Sequence, residues 1–209
     1  MKERPILFSG AMVRAILEGR KTVTRRPVKG SQIPKERPGE PDPQFRWSAV
    51  GQRDPRWGFL VTGATEAKCA QELARLGRCP YGRPGDRLWV RETYADIGCR
   101  LTYRADADDG AHCQVKKWTP AIHMFRKDSR ILLEITAVRI ERLQDISEEQ
   151  AVAEGVHFDK RRWFATDEGG PAFTWPQHAF EHLWRSINGA DSWDANPWVW
   201  VVEFKRVTP

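Results

Sequence analysis

Between Ser9 and Glu18 the apolar residues Met12, Val13, Ile16 and Leu17 recur at i, i+3, i+4 spacing, which predicts an amphipathic helix capped by Ser9 and stopped by Gly19. Past that stop the period changes. Thr22-Val23-Thr24 alternates β-branched residues, predicting a strand with Thr22, Thr24 and Arg26 on one face. Phe59 to Thr62 predicts a short strand, and Thr65 to Leu76 a helix closed by Gly77. After the turn Pro84-Gly85-Asp86, Arg87 to Thr93 reads as a strand with Leu88, Val90 and Glu92 on one face and Arg87, Trp89 and Arg91 on the other. Arg100 to Arg104 and Arg130 to Arg142 read as further strands. Ser147-Glu148-Glu149-Gln150 is a capping-box signal for a short helix running through Glu154 and ended by Gly155. Thr174 to Gln177 opens another helix, with Phe180, Leu183, Trp184 and Ile187 as its core face and Asn188-Gly189 as its stop. Trp198 to Val207 is apolar on both faces and predicts a strand buried on both sides. Two stretches show no period. Residues 27 to 58, rich in Pro, Gly, Arg and Gln, read as a long irregular loop, and residues 157 to 173 allow no assignment.

The 209 residues suffice for one domain with insertions. Charge adds a direction: 34 basic against 28 acidic residues give +6, a lean toward polyanions. Arg14, Arg20, Lys21, Arg25, Arg26 and Lys29 crowd the opening segment. Cys69, Cys79, Cys99 and Cys113 have neither zinc-knuckle spacing nor the density of a disulfide scaffold, and read as reduced thiols. No stretch approaches the roughly 18 apolar residues of a membrane span, so a soluble, cytoplasmic protein with no membrane partner is expected. Ten tryptophans are many for this length, and they serve either as core or as stacking platforms for unpaired bases.

The candidate chemistry gathers near the first helix. Lys21 at the turn, the Thr24 hydroxyl and the Arg26 guanidinium can converge on a small volume fit to grip a phosphate or a polarised carbonyl; the competing reading is a solvated basic turn. Glu92 shares its face with two apolar residues and needs a partner, either a structural cation or a substrate. His123, in an irregular aromatic segment, is a possible acid, base or substrate contact. His178-Ala179-Phe180-Glu181-His182 matches the H-x-x-E-H pattern of zinc peptidases, but both histidines point away from the core face and no third ligand is evident, so a metal role is rejected.

Gly19-x-Lys21-x-x-Thr24-x-Arg26 resembles the signature of the ASCH superfamily, and phage-encoded members of it in particular. Pro5 to Ser9, Gly85 to Glu92, Leu143 to Gly155 and Trp193 to Trp200 are similar as well. The common pattern of the superfamily has Glu at the position of Thr24; Thr there is what the small N(4)-acetylcytidine amidohydrolases carry. The resemblance implies an α+β fold: a PUA-like mixed β-barrel flanked by short helices, with long loop insertions at 29–80 and 157–173 of a single domain spanning 1–209. It implies hydrolysis of an N(4)-acylated cytosine without metal or cofactor. Thr24 is then the nucleophile, Lys21 the base that activates it and Glu154 the group that orients and protonates the leaving amine. Arg20, Arg25, Arg26, Glu92 and His123 are the expected substrate contacts, and the partner is a nucleoside or a single-stranded nucleic acid. Two alternatives stay open: a module that binds RNA or a modified base without chemistry, and a ribonuclease.

Overall fold

The computed structural model describes residues 1–54, 56–77, 79–108 and 110–207, with the side chains of Arg53 and Asp54 excepted. It is an α+β protein. Strands β1 (Glu3–Leu7), β2 (Val23–Pro27), β6 (Arg87–Arg91), β9 (Leu132–Arg142) and β12 (Trp198–Val207) form a five-stranded sheet in the order β1-β6-β9-β12-β2. The β1–β6 pair is parallel and the others are antiparallel. Strand β12 lies between β9 and β2 and has a core packed on each face, Trp198, Trp200 and Val202 in one and Val199 and Val201 in the other, which explains its double-faced apolar character. Hydrogen-bonded pairing that would close the sheet into a barrel is not found among the described residues. The two edge strands are nevertheless bridged by a side chain, since Arg26 Nη2 donates to Leu7 O at 2.7 Å.

The helices fall where the periodicity places them. Helix α1 (Gly10–Leu17) is capped by Ser9, whose hydroxyl accepts from Met12 N, and Gly19 takes the left-handed conformation just past its end, φ +76°. Helix α2 (Glu66–Leu76) is capped by Thr65 and closed by Gly77. Helix α3 (Glu148–Ala153) carries the full Ser147–Gln150 capping box, with Glu154 at its C-cap. Helix α4 (Pro176–Asn188) packs Phe180, Leu183 and Trp184 inward. Ile187, expected on that core face, is 53% exposed. It sits in the last turn of α4, where it lines a cavity.

The stretch read as an irregular loop is not one. It contains β3 (Lys35–Glu36) and β4 (Trp47–Asp54), which pair with β5 (Trp57–Gly63), the strand expected at Phe59 to Thr62, in an antiparallel three-stranded sheet. The reading failed because much of this sheet packs without a continuous apolar stripe. Gly51 faces Phe59 across the strands, where a Cβ would come within 2.6 Å of the ring, so a residue that looks like a breaker makes room for an aromatic. Pro55 of that stretch lies outside the described residues. Two further hairpins complete the fold: β7 (Tyr94–Asp96) with β8 (Leu101–Tyr103), and, in the stretch left unassigned, β10 (His157–Asp159) with β11 (Arg162–Phe164). No helix among the described residues is long and apolar enough to cross a membrane.

The core divides at the main sheet. On one side Val13, Ile16, Leu88, Val90, Leu133, Ile135 and Trp200 pack with Leu73 of α2. On the other, Val23, Val199 and Val201 pack with Ala151, Phe180 and Trp184. Strand β2 contributes Val23 to the second, Val28 just past its end joins the first, and the candidate site lies at this edge.

Candidate functional site

The segment joining α1 to β2 is fixed from both ends. Lys21 N donates to Ala15 O and Thr22 N to Ala153 O, each at 2.9 Å, so the backbone before β2 is held between α1 and the end of α3. Gly155, with φ +95°, lies directly against it. A Cβ there would stand 2.9 Å from Lys21 Cβ and 3.0 Å from Ala15 Cβ, so both the backbone conformation and the close approach require glycine.

This arrangement takes the Lys21 side chain out of solvent altogether. Its Nζ donates to Glu154 Oε2 and to Glu154 O, both at 2.7 Å, and lies 5.7 Å from the centre of the Phe8 ring. The solvated basic turn is thereby excluded. Burial pushes the Lys21 ammonium below the ordinary lysine range; the Glu154 carboxylate opposes that shift, and the Arg26 and Arg25 guanidiniums add to it. A neutral amine still has two hydrogens for the two Glu154 oxygens, and its lone pair is then free.

Glu154, 3% exposed, is shared. Its Oε1 accepts from Arg25 Nη1 at 3.2 Å. Arg25 is in turn held by Gln150 Oε1 at 2.8 Å and Glu141 Oε2 at 3.3 Å, and lies over the Phe180 ring. Gln150 therefore serves twice, since the same Oε1 accepts the Ser147 N–H of the capping box at 3.0 Å. Glu141 is itself paired with Arg139, which also reaches Glu203.

Beside this triad is a cavity of about 210 Å³. Thr24, Arg25, Arg26 and Glu154 supply its polar wall, while Tyr81, Phe180, Leu183 and Trp184 contribute apolar surface. Thr24 is buried, and its hydroxyl makes no hydrogen bond among the described residues. Thr24, Glu154 and, through Glu154, Lys21 are thus brought together, although 133 residues separate Lys21 from Glu154.

Of the other expected contacts, Arg25 and Arg26 line the cavity, and Arg20, Glu92 and His123 do not. Arg26 shares the Phe8 ring with Lys21 and lines the cavity with Thr24, but its Nη2 bonds Leu7 O, and Arg25 from the opposite face of β2 makes the carboxylate contact. Arg20 bonds Glu18 and Gly155 O. Glu92 is 1% exposed and is clamped by Arg130, Nε to Oε1 and Nη2 to Oε2, each at 2.9 Å. Arg130 also bonds Asp106 and stacks on Tyr103. Neither Glu92 nor His123, which lies exposed in the 3₁₀ turn Ala121–His123, lines the cavity.

His178 and His182 are exposed on α4, and no metal-holding group of His, Cys, Asp or Glu exists among the described residues. Sequence reasoning missed the roles of Gln150 and Glu141 in holding Arg25. The capping-box motif already singled out Gln150, but nothing local signals its second bond. No protein-family model, curated protein or solved structure matches this chain.

Proposed function

We propose that this chain is an amide hydrolase acting on an N(4)-acylated cytosine or a similar acylated base, with its chemistry at Thr24, Lys21 and Glu154. The observation that carries the reading is the enclosed Lys21–Glu154 pair beside a cavity lined by a threonine whose hydroxyl makes no hydrogen bond among the described residues. Burial depresses the lysine toward the amine a general base requires. In the proposed reaction Thr24 Oγ attacks the acyl carbonyl and its proton passes to Lys21. Lys21 returns the proton through Glu154 to the departing exocyclic nitrogen, and water then hydrolyses the threonyl ester, releasing the carboxylic acid. Arg25, fixed by Glu154, Gln150 and Glu141, supplies positive charge for the oxyanion without needing to reorganise.

The volume suits such a substrate. Pockets for drug-sized ligands run roughly 300–1,000 Å³; about 210 Å³ admits a single-ring base with a small acyl group and leaves the rest of the ligand outside. We read the five-stranded sheet, with its edges joined by Arg26 and Leu7, as a PUA-like barrel of the ASCH type.

A second reading, recognition of a modified base without chemistry, is favoured by one observation: both donors that Lys21 directs at Glu154 are satisfied, as in a purely structural clamp. Incubation with N(4)-acetylcytidine separates the two. A hydrolase releases acetate, and Thr24→Ala abolishes release while retaining the ligand; a recognition module binds and releases nothing.

A further inference from the structure

The charge around the cavity does not balance. Its one carboxylate, Glu154, is already committed to Lys21 and Arg25. Two more cations line the same cavity, Arg26 and Lys29, and among the described residues neither has a carboxylate within ion-pair distance. Most other arginines in the protein's interior networks do have one: Arg4 with Asp86, Arg14 with Asp167, Arg130 with Glu92, and Arg142 with Glu66.

Hydrogen bonding shows the same deficit. Among the described residues Arg25 Nε and Arg26 Nε are buried donors without an acceptor, as are Arg87 Nε and Arg91 Nε elsewhere; at the cavity a ligand oxygen would relieve that cost. Lys29 is exposed at the mouth, next to the end of α4 where Asn188 and the exposed Ile187 also line the opening. A neutral base in the cavity leaves this excess positive charge uncompensated.

We infer that the preferred ligand is a phosphate-bearing cytosine nucleotide rather than the free nucleoside, with the base in the cavity and phosphate held at its mouth by Arg26 and Lys29. This rests on the reading of the cavity as an acylcytosine site and names its substrate class. The volume supports the division, because about 210 Å³ takes the base and leaves sugar and phosphate toward Lys29, which is exposed, and Arg26, which has no carboxylate partner among the described residues. Phosphate is the group two adjacent cations and an acceptor-starved guanidinium would recognise.

The test is equilibrium binding to Thr24→Ala, so that turnover does not intervene. N(4)-acetylcytidine is compared with its 3′,5′-bisphosphate at two salt concentrations. The expected result is at least about tenfold tighter binding of the bisphosphate, a preference that salt weakens and that Lys29→Gln reduces severalfold. Equal affinities, no binding of either ligand, or a preference indifferent to both salt and Lys29→Gln would overturn the inference. A trinucleotide with the acetylated base at its centre identifies the source: tighter binding than the bisphosphate assigns the phosphates to a strand, and equal binding assigns them to a mononucleotide, each in support of the phosphate site. Acetate release by the wild-type protein is scored separately. Its absence defeats the hydrolase reading without touching the binding ratio, and release from nucleoside and bisphosphate at equal efficiency defeats the phosphate preference alone.

Discussion

Two glutamates in this protein are buried to nearly the same degree, Glu92 at 1% and Glu154 at 3% exposure, and each is paired with a cation from a distant part of the chain. Their partners differ. Glu92 faces Arg130, a side chain that never deprotonates, in a two-pronged clamp whose remaining donors are taken by Asp106. Burial pushes the Glu92 carboxyl above its ordinary range, Arg130 pulls it down, and the net shift is upward. Glu92 does not line the cavity beside Thr24. Glu154 faces a lysine, which can lose a proton, and it borders a cavity with a threonine whose hydroxyl makes no hydrogen bond among the described residues. Burial alone therefore does not mark a reactive carboxylate. The titratable partner and the adjoining space do.

Thr24→Ala should have the largest effect, removing the nucleophile and lowering acetyl release from N(4)-acetylcytidine by at least ~10³-fold, while the melting midpoint stays near that of the parent. Lys21→Met follows, with an expected loss of about 10²–10⁴-fold from the missing proton acceptor. Because it leaves Glu154 with Arg25 alone, it should also lower stability.

Glu92→Gln sharpens the contrast from the other side. Breaking a buried pair costs about 3–5 kcal/mol, and Arg130 keeps Asp106 as a partial, more exposed counter-charge. Denaturant unfolding should show a loss at the lower end of that range, with kcat/KM unchanged. Acid dependence separates the two clusters as well. Since the folded Lys21 pKa lies below its unfolded value, the native state binds fewer protons between the two, and stability should rise with pH through that window. If the amine is the base, kcat/KM should rise with pH and level off below the ordinary lysine range, and Arg26→Gln, by removing a neighbouring positive charge, should move that inflection upward. The smallest effect belongs to Ser147→Ala, which removes the α3 cap for roughly 1 kcal/mol and shifts Gln150, so that activity falls only as far as Arg25 loosens.

Much of this was legible along the chain because it is local. Ser9 with Gly19, the Ser147–Gln150 box, and the double-faced Trp198–Val207 each announce their structure within a few residues. Lys21 and Thr24 were singled out by the turn and the period-two face, but Glu154 entered only through resemblance, since Lys21 and Glu154 meet across the fold and no spacing encodes that. Period two correctly puts Thr24 and Arg26 on one face of β2. It cannot show that Arg25, on the other face, meets α3 and takes the carboxylate. Glu92 was read correctly as needing a partner, but Arg130 lies 38 residues away and could not be named. Strand β5 was legible at Phe59 to Thr62, but its partner β4 was hidden because Gly51 and Gly58 stand where a strand pattern expects side chains; each yields its space to a neighbour, Phe59 and Val50 respectively.

The most direct measurement compares acetyl release by Glu154→Gln and Glu92→Gln, assayed together with the wild type at a temperature where all three are folded by circular dichroism. The account predicts that Glu92→Gln keeps the kcat/KM of the wild type and Glu154→Gln loses at least about 100-fold. Equal activity in the two variants, or no release by the wild type, would contradict it.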